Sequence, residues 1–252
     1  MQISIKAHVA DATRALDDVQ RKQIPFASIY AATLTAKVVK VDEIQAMSRV
    51  FDRPTPYTLN SLAATPATKQ RPIATVETDL RSPGKGTPAK RFLNPQIHGG
   101  ARSQKAHERQ LATLMGSTFM VPATSAPKDA YGNVSGATFR KIISQLGASF
   151  DANQNATNSR RSKKKRKNDA YFKLKGKPII MHRRGVYVSP VLVGVRTPHY
   201  QKRFPFFEIA TATVEREFPK QFVTALERAL ARSHFKNARG TTWASVGYGV
   251  NG

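Results

Sequence analysis

The sequence predicts an α+β fold, and three observations carry that prediction. Helical apolar periodicity is strong near both ends, three short apolar runs lead into the second helical stretch, and proline and glycine break up the middle of the 252-residue chain. The expected architecture is a long N-terminal helix and a C-terminal helix packed on a small, mainly antiparallel sheet, with a large irregular insertion.

Residues 1–7 alternate Ile3 and Ile5 with polar neighbours, the pattern of a short strand or an ordered arm. Over residues 9–23, Leu16 and Val19 share a face away from Asp11, Arg14, Asp17, Asp18 and Arg21, which predicts a helix ending before Pro25. A longer helix starts at Pro25, with Phe26, Ile29, Ala32, Ala36, Val39, Ile44, Met47 and Phe51 on its apolar side. It is stopped by Asp52-Arg53-Pro54-Thr55-Pro56. Residues 57–65 and 72–78 read as the two strands of a hairpin.

Residues 81–100 hold Pro83, Pro88 and Pro95 with Gly84, Gly86, Gly99 and Gly100, so an extended arm carrying Phe92 is expected. A helix over 102–115 ends at Gly116, residues 119–135 are again punctuated, and a helix over 138–146 is capped by Gly147. From 148 to 168 only Phe150 has bulk, and the stretch reads as a mobile loop. Strands follow at 171–175, 179–182 and 186–196. Val214, Phe218, Phe222, Leu226 and Leu230 then recur every four residues as one face of the C-terminal helix, with Pro219 inside the pattern as a kink or a junction of two helices. The Gly/Ser/Thr-rich residues 237–252, with Trp243 and Tyr248, read as a flexible tail acting as an arm. The chain thus divides into 1–99 and 169–236 as a core domain, 100–168 as an insertion, and the tail.

The formal net charge is +25, and it is unevenly spread. Residues 160–184 carry 12 basic side chains against one acidic, whereas residues 1–52 carry 7 against 6. Such a concentration selects polyanionic company: nucleic acid, an acidic protein surface or an anionic membrane. The absence of cysteine excludes disulfides, thiolate metal sites and cysteine nucleophiles. Residues 1–14 lack the apolar core of a secretory signal, and the apolar runs at 29–41 and 186–195 fall short of the roughly 20 residues that span a bilayer. A soluble chain without a membrane partner is expected.

Catalytic patterns are missing. Gly84-Lys85-Gly86-Thr87 lacks phosphate-loop spacing and runs into Pro88. The histidines at 8, 98, 107, 182, 199 and 234 form no ligand pair, and His107-Glu108 lacks the second histidine of a zinc helix. Packing or surface histidines are expected, with no enzyme activity, metal or cofactor.

The basic run is the candidate site. Arg160, Arg161, Lys163, Lys164, Lys165, Arg166 and Lys167 place seven cations in eight positions. Full engagement of duplex DNA would give a log-log salt slope of about −6 and no sequence preference. A solvated loop that keeps the chain soluble, or a nuclear-import signal, needs no more than the same composition.

Several segments together resemble a known family: Val50-Phe51-Asp52-Arg53-Pro54-Thr55-Pro56, Gly86-Thr87-Pro88-Ala89, Leu93-Asn94-Pro95-Gln96-Ile97, Gly99-Gly100-Ala101-Arg102, Asp129-Ala130-Tyr131-Gly132-Asn133, Arg203-Phe204-Pro205-Phe206-Phe207-Glu208 and Glu217-Phe218-Pro219. The chain resembles the neck and tail-completion proteins of tailed bacteriophages, the minor tail protein Z-like family. That resemblance implies a virion protein made in the host cytoplasm. It would assemble as a homo-oligomeric ring at the head-tail junction and contact portal, neck or tail proteins and the packaged DNA. Pro83, Gly86, Pro88, Phe92, Pro95, Trp243 and Tyr248 would then belong to arms reaching neighbouring subunits. A free nucleic-acid-binding protein of packaging or regulation is the alternative. Its binding face would join Lys173, Lys175, Lys177, Arg183 and Arg184 to the basic run, with Tyr171 and Phe172 near bases.

Overall fold

The computed structural model describes residues 9–78, 87–117 and 119–232. Its class is α+β, as the periodicity predicts. The expected strand at 1–7, Pro83, Gly86 and the 237–252 arm with Trp243 and Tyr248 lie outside these residues. The described chain forms two compact units, one of residues 9–46, 62–78 and 206–232 and the other of 47–61, 87–117 and 119–205.

The first unit is helical with one hairpin. Helix α1 (Val9–Asp18) continues through a π-helical turn (Val19–Gln23) into α2 (Ile24–Val50) without a break. This corrects the expected stop before Pro25. Proline removes one donor and crowds the preceding turn, but in the wider π turn the Ile24 N–H bonds Val19 O, five residues back, and the ring is accommodated. Helix α8 (Phe206–Arg232) likewise runs on through Pro219 as one helix.

Strands β1 (Leu62–Thr65) and β2 (Thr75–Thr78) form the expected hairpin, pairing Leu62 with Thr78 and Thr65 with Thr75. The first expected strand is shortened. Thr55 accepts the Thr58 N–H at 3.1 Å and caps a single turn, α3 (Pro56–Leu59), in the second unit.

Helices α2 and α8 each bury a row of mostly small residues. Ala27, Ala31, Thr35, Val39 and Glu43 are buried at four-residue spacing on α2, and Thr213, Ala225 and Ala229 on α8. The aromatic stripe predicted for α8 flanks its buried row: Phe218 and Phe222 are half-buried and Val214 is exposed. Asp42 accepts hydrogen bonds from the Thr213 hydroxyl at 2.7 Å and from Arg216 Nη2 at 2.8 Å, which sets the register of the two helices. By length and composition Leu16–Val50 passes the test for a membrane-crossing helix, with a mean hydropathy of 1.2 in its most apolar window. The same length and composition suit the core helix of a soluble protein, and α2 buries Ala27, Ala31, Val39 and Met47.

The second unit is built on a four-stranded antiparallel sheet in the order β4 (Phe119–Pro122), β7 (Tyr187–Val195), β6 (Ile179–Arg184), β5 (Asp169–Lys173). Leu111 and Met115 of α5 (Ala106–Met115) and Ile142 and Ile143 of α6 (Gly136–Leu146) share a core with Met120, Tyr171, Ile180, Val191 and Leu192. Residues 100–168 therefore contribute to the same core as the strands that follow them. Gly116 and Gly147 take left-handed conformations and end α5 and α6 as predicted. His107 packs by stacking on Phe139 at 3.7 Å, and burial pushes its pKa down to about 4.

Glu108 locks α5 to β4. Buried completely, it accepts hydrogen bonds from Arg102 Nη1 at 2.7 Å, Lys105 N–H at 2.7 Å and Met120 N–H at 2.9 Å. Burial alone would raise its pKa, but these donors outweigh desolvation and hold the carboxyl below its ordinary value.

The predicted arm at 81–100 is in part a helix, α4 (Ala89–His98), with Pro88 as its N-cap, Pro95 inside it and Phe92 at 6.1 Å from the Tyr57 ring. Buried Leu93 and Ile97 drive it inward, and Gln96 O accepts from the Arg203 and Phe204 N–H groups at 3.0 and 2.9 Å. Two-residue strands β3 (Gly100–Ala101) and β8 (His199–Tyr200) pair beside it.

Two outcomes follow from the buried carboxylates. Glu108→Ala leaves Arg102 buried and unpaired and is expected to destabilise the chain by about 3–5 kcal/mol in denaturant titration. Glu43 is fully buried, and neither of its carboxylate oxygens has a partner. Desolvation first, and then Asp42 and Glu208, push its pKa up to about 8. Folding therefore holds a proton that the unfolded chain releases above about pH 4.5. Stability should fall between about pH 4.5 and 8 by up to about 1.4 kcal/mol per pH unit from this group, and Glu43→Gln should remove that decline.

Candidate nucleic-acid-binding face

The basic run folds as a helix, α7 (Arg160–Asn168), which corrects the expected mobile loop. Composition alone points to disorder, but three local terms favour the helix. Ser159 caps it by accepting the Ser162 N–H at 3.3 Å, and Lys and Arg are good helix formers. Lys165, Arg166 and Lys167 also occupy the last turn, where the helix dipole favours cations. Arg166 turns inward and donates to Thr157 O at 2.9 Å.

Helical spacing sorts the cations. Arg160, Lys163, Lys164 and Lys167 follow i, i+3, i+4, i+7 and share one face, while Arg161 and Lys165 lie on another. An open cavity of about 610 Å³ is lined by Lys163, Lys164, Arg166 and Lys167 together with Gln145, Ala170, Tyr171 and Arg183. Of the two arginines proposed to extend the face, Arg183 is in this cavity and Arg184 is next to it on β6. Arg183 also lies over the Phe172 ring at 6.0 Å. Lys173 points elsewhere, donating to Leu114 O at 2.6 Å.

The floor of the cavity is fixed by Asp169, the single acid of residues 160–184. Its carboxylate pairs with Lys141 of α6 and accepts from His182 Nε2 of β6 at 2.7 Å, while its own carbonyl accepts from Gln145 Nε2 at 3.3 Å. The Lys141 hydrogen bond, then that of His182, lowers its pKa. Gln145 Oε1 in turn accepts the Tyr171 N–H at 2.7 Å, and Tyr171 stacks on His182 at 4.3 Å. The one acid of this stretch is thereby committed to the scaffold. Among the described residues, none of the seven run cations has an acidic partner within ion-pair distance.

Tyr171 is buried, so its ring serves the core and not a base. The residue that sequence reasoning missed is Tyr187, which is 79% exposed on the β6–β7 turn beside Val186 at 89%. The turn is held against the end of α7 by the Gly185 N–H, which donates to Asn168 O at 2.8 Å. Its signal was the Arg183-Arg184-Gly185-Val186-Tyr187 sequence, in which glycine turns the chain and leaves two apolar residues at the tip.

A second cavity, of about 270 Å³, gathers segments distant in sequence: Phe51, Asp52 and Arg53, Leu93 and Gln96, Tyr131 and Asn133, and Arg203. Arg203 lies over Phe51 at 5.3 Å, and Phe51 packs on buried Phe204 at 5.6 Å. Asp129 Oδ1 accepts the N–H groups of Tyr131 and Asn133 at 2.9 and 2.8 Å and closes that loop. Arg53 has a positive φ of 46°, unusual for a residue with a side chain.

Among the described residues no group of three or more metal-ligating side chains occurs. Comparison with protein-family models, with curated proteins and with solved structures gave no match.

Because only one face of α7 and Arg183 are presented together, the salt slope of duplex DNA binding should be about −4 to −5, shallower than the −6 of a fully engaged run. Substituting Lys163, Lys164 and Lys167 with Ser should reduce the slope by nearly 3 and leave the circular dichroism melting profile close to that of the parent; Arg161 and Lys165 to Ser should change the slope far less.

Proposed function

We propose that the chain is a structural protein of the tailed-phage head-tail junction: a ring-forming neck or tail-completion subunit that joins portal-side and tail-side components, with its cationic face toward the DNA channel. The uncompensated charge of α7 and Arg183 carries this reading. A cationic helix mounted on a sheet, with its only local acid already engaged, is suited to sequence-independent contact with phosphate.

Two further features support it. Four of the seven segments that carry the family resemblance, far apart in the chain, meet around Phe51, Arg53, Gln96, Asn133 and Arg203. The helical unit exposes Tyr30 and Val41 on α2 and Phe207, Val214 and Val223 on α8, apolar area that contacts in a closed ring would cover. In this role the chain acts by position and assembly in the virion, with other copies and neighbouring neck proteins as partners, and it requires no cofactor or catalytic centre.

The same cationic face also favours a second reading, a free protein that binds nucleic acid during packaging or regulation. Imaging purified virions separates the two. Density for this chain in a symmetric ring between head and tail is the expected result; its absence from the particle would overturn the structural role in favour of the second reading.

A further inference from the structure

The β6–β7 turn presents an arrangement that phosphate binding does not use. Val186, Tyr187 and Val188 are 89%, 79% and 50% exposed. Three consecutive apolar residues at the tip of the β6–β7 hairpin are unfavourable in water, and β5 runs beside β6 up to the last rung, where Asp169 pairs with Arg184. Yet they are flanked by Arg183 and Arg184, and Gly185 is fastened to the end of α7 at Asn168. Arg184 pairs in register with Tyr187 and Arg183 with Val188, so a cation and an apolar residue stand opposite each other at each of the last two rungs. Gly185, at φ 63°, makes the turn tight.

We propose that this hairpin tip is a wedge for duplex nucleic acid. The cationic face of α7 and the two arginines seat the phosphate backbone, and Val186 and Tyr187 enter the adjacent groove to unstack a base step. The proposal rests on the reading of α7 as a phosphate-binding face. Charge complementarity selects the occupant. An acidic protein would satisfy the cations but offers no stacked base for Tyr187, whereas a duplex supplies phosphates and base steps side by side. Apolar side chains inserted at base steps unstack and kink the duplex. The tip's aromatic ring adds stacking that is indifferent to base identity, in keeping with a face that reads no sequence.

The test uses the full chain and a short mixed-sequence duplex carrying 2-aminopurine, with end-to-end energy transfer reporting bending. The parent protein should raise 2-aminopurine fluorescence and shorten the end-to-end distance. The double variant Val186→Ser, Tyr187→Ser should bind about tenfold more weakly, with the same salt slope and neither optical change. Tyr187→Trp should retain the bending and show indole quenching on DNA. Equal affinity of parent and double variant with no unstacking by either would overturn the wedge and leave the phosphate-binding face standing. That outcome would assign the tip to a protein contact. Failure of the parent to bind the duplex even at low salt would overturn both.

Discussion

Asp169 is the constraint on which the candidate site depends. It stands where α7 ends and β5 begins, and its carboxylate is held by Lys141 from α6 and His182 from β6. Three elements are thereby fixed around one residue, and the stacking of Tyr171 on His182 completes the floor. The consequence is electrostatic as well as geometric. Both partners of Asp169 lie outside the basic run, so its negative charge is spent on the scaffold, and the run faces outward without a counter-charge. Its pairs are close to half exposed, so their stabilising effect is small; their effect on position is what matters here.

The other unit obeys a different rule. Its two long helices bury small residues, Ala27 and Ala31 on α2 and Ala225 and Ala229 on α8, while Phe207, Val214 and Phe218 line a cavity of about 450 Å³ with Ala32, Thr35, Ala36 and Val39. Glu43 is buried on α2 without a donor, a local conflict that a proton resolves. Phe218 and Phe222 stay half-covered and Phe207 exposed.

What the sequence made legible was what short-range periodicity encodes. Strands β5, β6 and β7, the hairpin β1–β2, and helices α2, α6 and α8 follow from apolar spacing, and Gly116 and Gly147 announced the ends of α5 and α6. Features set by distant partners were not legible. Strand β4 exists because Phe119 pairs with Val195, some seventy residues away, and α4 folds over its own Pro95 because Gln96 meets Arg203 and Phe204. The basic run is the most instructive case. Its residues stood out in the sequence as the candidate site, yet composition hid a helix that the Ser159 cap and the last-turn cations make favourable. Helix formation then decides which cations act together, a distinction that a list of charges does not contain. Pro25 is over-read as a stop because a π turn accommodates it, and Pro219, read as a kink or a junction, lies inside one continuous helix.

In the role proposed for this chain, a folded cationic platform, and not a solvated loop, meets nucleic acid. Amide hydrogen exchange of the purified chain, with and without duplex DNA, tests it most directly. The account predicts measurable protection across residues 163–168 in the free chain and further slowing there and at 183–188 when DNA is added. Exchange of residues 160–168 at the rate of an unstructured peptide, unchanged by DNA, would contradict it.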